Sequence, residues 1–250
     1  MSLTIPGHVQ QAQAARPTLR YPWDDWNAEA AEGPVDPSLL ATLPMISVRG
    51  NLALLAASAE WLLHRLLPFA DDDPLPLEAA EALWAQVVDW RYAAAWNPFD
   101  EDEWTGAVRG PIRRMAMWMR EGPQCASDGL SDGVRRCAAA ATMLAAHVQP
   151  RPDAMRAWLS FALARLLALS PARENDPLGE VVPREALDST LAFVVEDTEG
   201  LIDRFLRGLD YSQGPTGNGF LMLPTEMAAE GFTGTPYRFD IAQDRHQRGV

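Results

Sequence analysis

Apolar residues recur at steps of three and four positions along much of the chain, the spacing of one face of an α-helix. The two clearest stripes predict helices over 47–67 and 154–169. Pro68 ends the first stripe, because proline removes a backbone donor and clashes with the preceding turn. Weaker stripes predict further helices over 77–96, 112–120, 131–148 and 184–207, with a short helix between the acidic run 100–103 and Gly110.

Glycine and proline mark the connections between these helices. The pair Gly110-Pro111 and the segment 122–133 are expected to interrupt the helical part of the chain. Helices of this length joined by short connections are typical of all-α proteins. We therefore predict a single-domain helical bundle, or an array of helical hairpins, with about six to seven helices.

The two ends of the chain differ from its helical part. Residues 1–37 are rich in proline, glutamine and acid, and predict an irregular N-terminal arm. Residues 38–210 form the predicted helical domain. Residues 211–250 predict an extended or irregular segment with loops and short strands at 220–223 and 237–239, packed on the helical domain.

The net charge of the chain indicates which class of partner it binds. The 250 residues carry 34 acidic and 21 basic side chains, all of the latter arginine, so the net charge is −13. Such a surface repels nucleic acid and anionic membranes, and attracts basic proteins. We therefore expect a basic protein partner, and neither nucleic acid nor a membrane.

Three features predict a cytoplasmic protein. Cys125 and Cys137 are too few for a disulfide framework and are expected to be reduced. The first residues lack the basic start and apolar run of a signal peptide. The most apolar stretch, 52–67, contains Glu60, His64 and Arg65, which favours a core helix over a membrane span.

Few residues suggest chemistry. The chain has no phosphate-binding loop ending in lysine, and no lysine to form a Schiff base. Glu60 and His64 lie four residues apart and could share a metal or a proton, but a plain intrahelical pair is the favoured interpretation. We predict no catalytic residue, no cofactor and no metal, and consider an enzyme the less favoured class.

Acidic residues and large aromatic residues occur together in two segments, 23–26 and 96–104. Tryptophan often dominates the binding energy of protein interfaces, and acidic neighbours steer a basic partner. By contrast, Trp84, Trp118 and Trp158 fall on helical stripes and are predicted to be core. The predicted partner-binding residues are Trp23, Asp24, Asp25, Trp26, Trp96, Asp100, Glu101, Asp102, Glu103 and Trp104.

The favoured hypothesis is a non-enzymatic acidic protein that occludes a basic partner. Its most concrete form is a bacterial immunity protein or antitoxin that neutralises a cognate toxin, because a compact polyanion can block a cationic cleft without chemistry of its own. A chaperone or an adaptor fits the same features.

The enzymatic alternative depends on two carboxylate pairs. Glu78 and Glu81 lie on one predicted helical face, and Asp100 and Glu103 follow with the same spacing. This arrangement resembles the paired acidic motifs of all-α, magnesium-dependent nucleotide pyrophosphohydrolases. The resemblance covers residues 78–103 and implies that these four carboxylates ligate magnesium.

Overall fold

The computed structural model describes residues 3–13, 18–71, 73–93, 99–212, 217–233 and 238–239. The all-α prediction is confirmed. The described helices are α1 (Gly7–Gln13), α2 (Glu29–Glu32), α3 (Pro37–Thr42), α4 (Val48–Leu66), α5 (Leu75–Val88), α6 (Gly106–Ser127), α7 (Ser131–His147), α8 (Pro152–Leu169), α9 (Thr198–Gly208) and α10 (Pro224–Ala229). The short strands β1 (Phe232–Thr233) and β2 (Arg238–Phe239) pair antiparallel.

Helix α4 is the centre of the bundle. Ser47 caps its N-terminus by accepting a hydrogen bond from the Gly50 amide. Every side chain from Asn51 to Leu66 is buried, because α5, α6 and α7 pack around the helix. Val48–Phe69 is long and apolar enough to cross a membrane by length and composition, but 89% of its most apolar window is buried inside the protein. The prediction of a core helix is therefore confirmed.

A loop from the second half of the chain closes the N-terminus of α4. The Ser47 amide donates to the Ser170 carbonyl (2.9 Å), and the Val48 and Arg49 amides donate to the Pro177 and Leu178 carbonyls (3.0 Å each). The first amides of a helix have no partner within the helix. Residues 170–178 therefore supply the acceptors that this buried helix end needs.

The predicted interruption at 110–111 is wrong, and the one predicted over 122–133 is confined to residues 128–130, between α6 and α7. Helix α6 runs through both Pro111 and Pro123. Proline at position 111 leaves the carbonyl of Ala107 without its usual helical donor. The hydroxyl of Tyr21 donates to that carbonyl, so a contact from the N-terminal part of the chain compensates for the proline.

The continuous helix predicted over 184–207 is also wrong. The chain forms a 3₁₀ turn at Arg184–Leu187, an irregular stretch, a second turn at Val195–Asp197, and only then α9. The carbonyl of Leu187 accepts a hydrogen bond from the indole of Trp158 (2.9 Å), and Asp188 binds the Thr190 amide (3.0 Å). These side-chain bonds replace the hydrogen bonds that would propagate the helix.

Both ends of the described chain pack on the bundle. Helix α1 contacts α4 and α8. At the other end, Leu221, Met227 and Phe232 form a second small core with Ile202 and Leu206 of α9. Trp84 and Trp158 are buried as predicted, whereas Trp118 is half-buried beneath the guanidinium of Arg114.

Candidate acidic interface

Asp25 joins the two predicted acidic segments. Its Oδ1 accepts a hydrogen bond from the Trp23 indole (2.8 Å), and its Oδ2 accepts one from the Gly106 amide (2.7 Å). Gly106 is the first residue of α6, and only Thr105 separates it from the second acidic segment. An anionic side chain at this position is also favoured by the helix dipole. The two segments are therefore held against each other at one end of α6.

The second segment forms a tight acidic turn before α6. The carboxylate of Asp100 accepts from the Asp102 amide (2.8 Å), and its carbonyl accepts from the Trp104 amide (3.0 Å). This turn leaves four consecutive exposed acidic side chains, Asp100, Glu101, Asp102 and Glu103.

The tryptophans of the two segments have different environments. Trp104 is only 4% exposed, since it packs against Phe99 (ring centroids 4.4 Å apart) and beneath the Arg109 guanidinium (5.3 Å). Trp104 therefore supports the turn from below, and the expectation that it is a surface anchor is wrong. Trp23 is half-buried over α6, and Trp96 lies outside the described residues.

Trp26 is the exposed aromatic residue of this surface, with 99% of its area accessible. It lies in a 3₁₀ turn, Asp25–Asn27, which Asp24 caps by accepting from the Trp26 amide (2.9 Å). The hydrogen bonds of Asp24 and Asp25 therefore hold the backbone that carries the indole. We name the acidic face as Asp24, Asp25, Trp26, Asp100, Glu101, Asp102 and Glu103.

Two arginines of α6 hold the acidic turn without neutralising it. Arg109 donates to the Glu103 carbonyl (3.5 Å), and Arg113 donates to the Glu101 carbonyl (3.4 Å). The carboxylate of Glu101 lies 3.8 Å from Arg113, but its side chain is 89% exposed. Exposed ion pairs of this kind contribute about 0–1 kcal/mol. The carboxylates therefore stay hydrated and available.

The four predicted magnesium ligands do not form a metal site. Glu81 is buried and accepts from the Asn218 amide group (3.0 Å), and Asn218 also donates to the Glu78 carbonyl (2.8 Å). Asp100 and Glu103 belong to the acidic face. Within the described residues, which include all four, no three His, Cys, Asp or Glu side chains are grouped to hold a metal ion. The resemblance to the pyrophosphohydrolases stops at the sequence spacing.

Glu60 pairs with Arg184 and not with His64. Its carboxylate, in a side chain 2% exposed, accepts from Arg184 Nε at 2.5 Å. Burial raises the pKa of Glu60 to about 7, although Arg184 pulls it in the opposite direction. Burial also lowers the pKa of His64 to about 4. The intrahelical pair that the four-residue spacing predicted is therefore wrong.

A buried contact between His8 and Asp188 was missed by the sequence analysis, which assigned His8 to the N-terminal arm. His8 Nδ1 lies 3.1 Å from Asp188 Oδ1, and the ring stacks on Trp158. Burial alone would raise the pKa of Asp188, but hydrogen bonds from Thr190, Gly7 and His8 outweigh it and hold the pKa at about 2. The adjoining cavity is about 30 Å³, the size of one water molecule. It has no room for a substrate.

Comparison with known protein families, with characterised proteins and with solved structures finds no match to this chain. The function therefore has to be argued from the acidic face itself.

One motif was overlooked in the sequence. Residues 129–133 have the spacing Gly-x-Ser-x-Gly of a nucleophile elbow, with Ser131 at its centre. That elbow joins a strand to a helix, whereas here α6 precedes the motif and Ser131 begins α7. His147 lies at the opposite end of α7, about 24 Å away at 1.5 Å per residue. The spacing does not create a catalytic serine here.

A substitution at Gly110 tests whether the first acidic segment packs on α6. A methyl group on Gly110 would lie 2.3 Å from the Trp23 indole nitrogen and 2.4 Å from Asp25 Oδ1. We expect Gly110→Ala to lower the free energy of unfolding by about 1–3 kcal/mol, although alanine is the better helix former. Chemical denaturation measures this difference in the free energy of unfolding.

Gly200→Ala is the matched control, because no described atom lies within 4 Å of its added methyl group. This variant should gain about 0.5 kcal/mol from helix propensity. A Gly110→Ala protein as stable as Gly200→Ala would show that the segment around Trp23 does not pack on α6.

Proposed function

We propose that this protein is a non-enzymatic binding protein that covers a basic protein partner with its acidic face, most concretely a cytoplasmic immunity protein or antitoxin of bacterial type. The observation that carries the proposal is Trp26, a fully exposed indole on a fixed turn among exposed carboxylates.

The setting of Trp26 favours binding over solubility alone. An exposed indole adds nothing to the core, and tryptophan is enriched where a few residues dominate an interface. Because Asp24 and Asp25 already order the turn, little conformational entropy remains to be lost on binding. A preordered anchor of this kind converts more of its buried area into affinity.

The charges around Trp26 select the class of partner. The acidic face groups six of the 34 acidic side chains of a chain whose net charge is −13. Complementary charge raises the association rate of a basic partner, and the effect weakens with salt. Proteins that act on nucleic acids carry cationic clefts, which this face would occlude.

The experiment is an affinity capture of the tagged full chain from lysate of its own cells, followed by kinetics with the purified partner. We expect a basic protein bound in a fixed stoichiometry, with association that slows as salt increases. Trp26→Ala should weaken binding by about thirtyfold or more, mainly through faster dissociation. The double variant Glu101→Gln/Asp102→Asn should mainly slow association.

Leu130→Ala is the control for the loss of an exposed apolar side chain, since Leu130 is also exposed but lies before α7. It should bind as the unmodified protein does. If the captured partner is a toxin, a stoichiometric amount of this protein should block its activity. A partner that binds Trp26→Ala with unchanged affinity would refute the proposed interface.

A further inference from the structure

A second surface feature lies away from the acidic face. A pocket of about 240 Å³ opens where the first turn of α4, the start of α7 and the loop 171–178 meet. Pockets for drug-sized ligands measure about 300–1,000 Å³, so this one suits a small metabolite.

The pocket presents both signs of charge. Arg135 and Arg173 line it together with Glu174. Arg135 is held at 2.5 Å by Asp132, while Arg173 and Glu174 are exposed at the loop. Guanidinium groups bind carboxylates through paired hydrogen bonds, whereas a carboxylate such as that of Glu174 binds an ammonium group. A ligand that carries both charges therefore matches the lining better than a simple anion.

Asn51 lies almost fully buried at the base of the pocket. Its side chain is 1% exposed, and its Nδ2 donates to the carbonyls of Leu43, Ile46 and Ser47 at 3.2, 2.9 and 2.8 Å. These bonds fix the orientation of the amide, and within the described residues its Oδ1 has no hydrogen-bond partner. The hydrogen bonds of Nδ2 therefore hold the base of the pocket in place, and Oδ1 is too deeply buried to contact a ligand.

Apolar side chains complete the lining. Ile46 and Val48 contribute aliphatic surface beside the polar groups. We propose that this pocket binds a small aliphatic α-amino acid. Its carboxylate pairs with Arg173 and Arg135, its ammonium group with Glu174, and its side chain with Ile46 and Val48. This site is independent of the proposed interface.

The experiment is a titration of the ¹⁵N-labelled full chain with L-valine, followed through backbone amide shifts. We expect saturable shifts at residues 131 and 172–174. Two matched compounds each lack one charge: isovalerate has no ammonium group, and isobutylamine has no carboxylate. Both should bind at least about tenfold more weakly than valine, because each loses a charge-assisted contact.

Variants locate the site. Arg173→Ala and Glu174→Gln change exposed side chains, and each should weaken valine binding about tenfold. Arg120→Ala, an exposed arginine on α6, should leave it unchanged. The proposal is overturned if valine causes no saturable shift, if Arg173→Ala binds it normally, or if isovalerate or inorganic phosphate binds as tightly as valine.

Discussion

Replacing Arg184 by methionine is expected to lower the free energy of unfolding by about 1–2 kcal/mol more at pH 8 than at pH 5, because it leaves Glu60 buried without its ionic partner. Glu60 is almost inaccessible, and Arg184 Nε donates to it at 2.5 Å. Methionine retains much of the aliphatic volume of arginine, so the loss reports the charge more than a cavity. Denaturant unfolding at several pH values measures it.

The expected loss depends on pH in a defined direction. The folded pKa of Glu60, about 7, is above the ordinary value of 4.5, so its contribution to stability is present at low pH and is lost as pH rises through 7. Arg184 lowers the pKa of Glu60. Without Arg184 this pKa is higher, so the stability of the protein keeps falling to a higher pH. The variant should therefore be least destabilised at pH 5, where Glu60 is protonated with or without Arg184, and most destabilised above pH 8. His64, whose pKa is about 4, titrates below this window.

A second substitution separates the charge from the packing. In Glu60→Gln/Arg184→Met no buried charge remains, so the double variant should be more stable at pH 8 than Arg184→Met alone. Equal destabilisation of Arg184→Met at pH 5 and pH 8 would contradict an ionised Glu60 as the cause.

Asp188→Ala is expected to lower the free energy of unfolding by about 3–5 kcal/mol and to release helix α1. The carboxylate accepts from the amides of Gly7 (2.8 Å) and Thr190 (3.0 Å) and contacts His8. Its removal leaves these partly buried donors without an acceptor. Amide hydrogen exchange at Gln10, whose amide donates to the Pro6 carbonyl, together with denaturant unfolding, measures both effects.

Acid titration gives an independent check on Asp188. The pKa of Asp188 in the folded protein, about 2, is below the ordinary value of 3.8. Its contribution to stability is therefore fully present above pH 3.8 and is lost as pH falls towards 2. The alanine variant should lose less stability over this range than the unmodified protein. Asp188→Asn keeps one acceptor oxygen and should be intermediate. Unchanged exchange at Gln10 in Asp188→Ala would show that α1 is held by other contacts.

The helices that the sequence predicts best are those whose own side chains determine their packing. Helix α4 is rich in leucine and alanine and α8 carries a clear stripe, so local pattern was sufficient for both. Helix α6 was predicted as a short fragment, because the contact between Tyr21 and the Ala107 carbonyl spans 86 positions. No local pattern reports a hydrogen-bond donor that arrives from elsewhere in the chain.

The acidic face was predicted from composition, but its anchor was not. Trp26 and Trp104 both follow acidic residues, and the sequence does not distinguish them. Phe99 and Arg109 pack on Trp104 and bury its indole, whereas the indole of Trp26 is accessible. The buried pairs of Glu60 with Arg184 and of His8 with Asp188 span 124 and 180 positions, and could not be recognised from spacing.

The loop that closes the N-terminus of α4 affects how the protein is made. A ribosome adds roughly 5–20 residues per second, so residues 170–178 emerge on the order of ten seconds after α4. Until then Ser47 caps α4, but the amides of Ser47, Val48 and Arg49 lack the carbonyl acceptors of this loop. During translation the N-terminal end of the central helix therefore stays open to water for several seconds after the helix itself has been made.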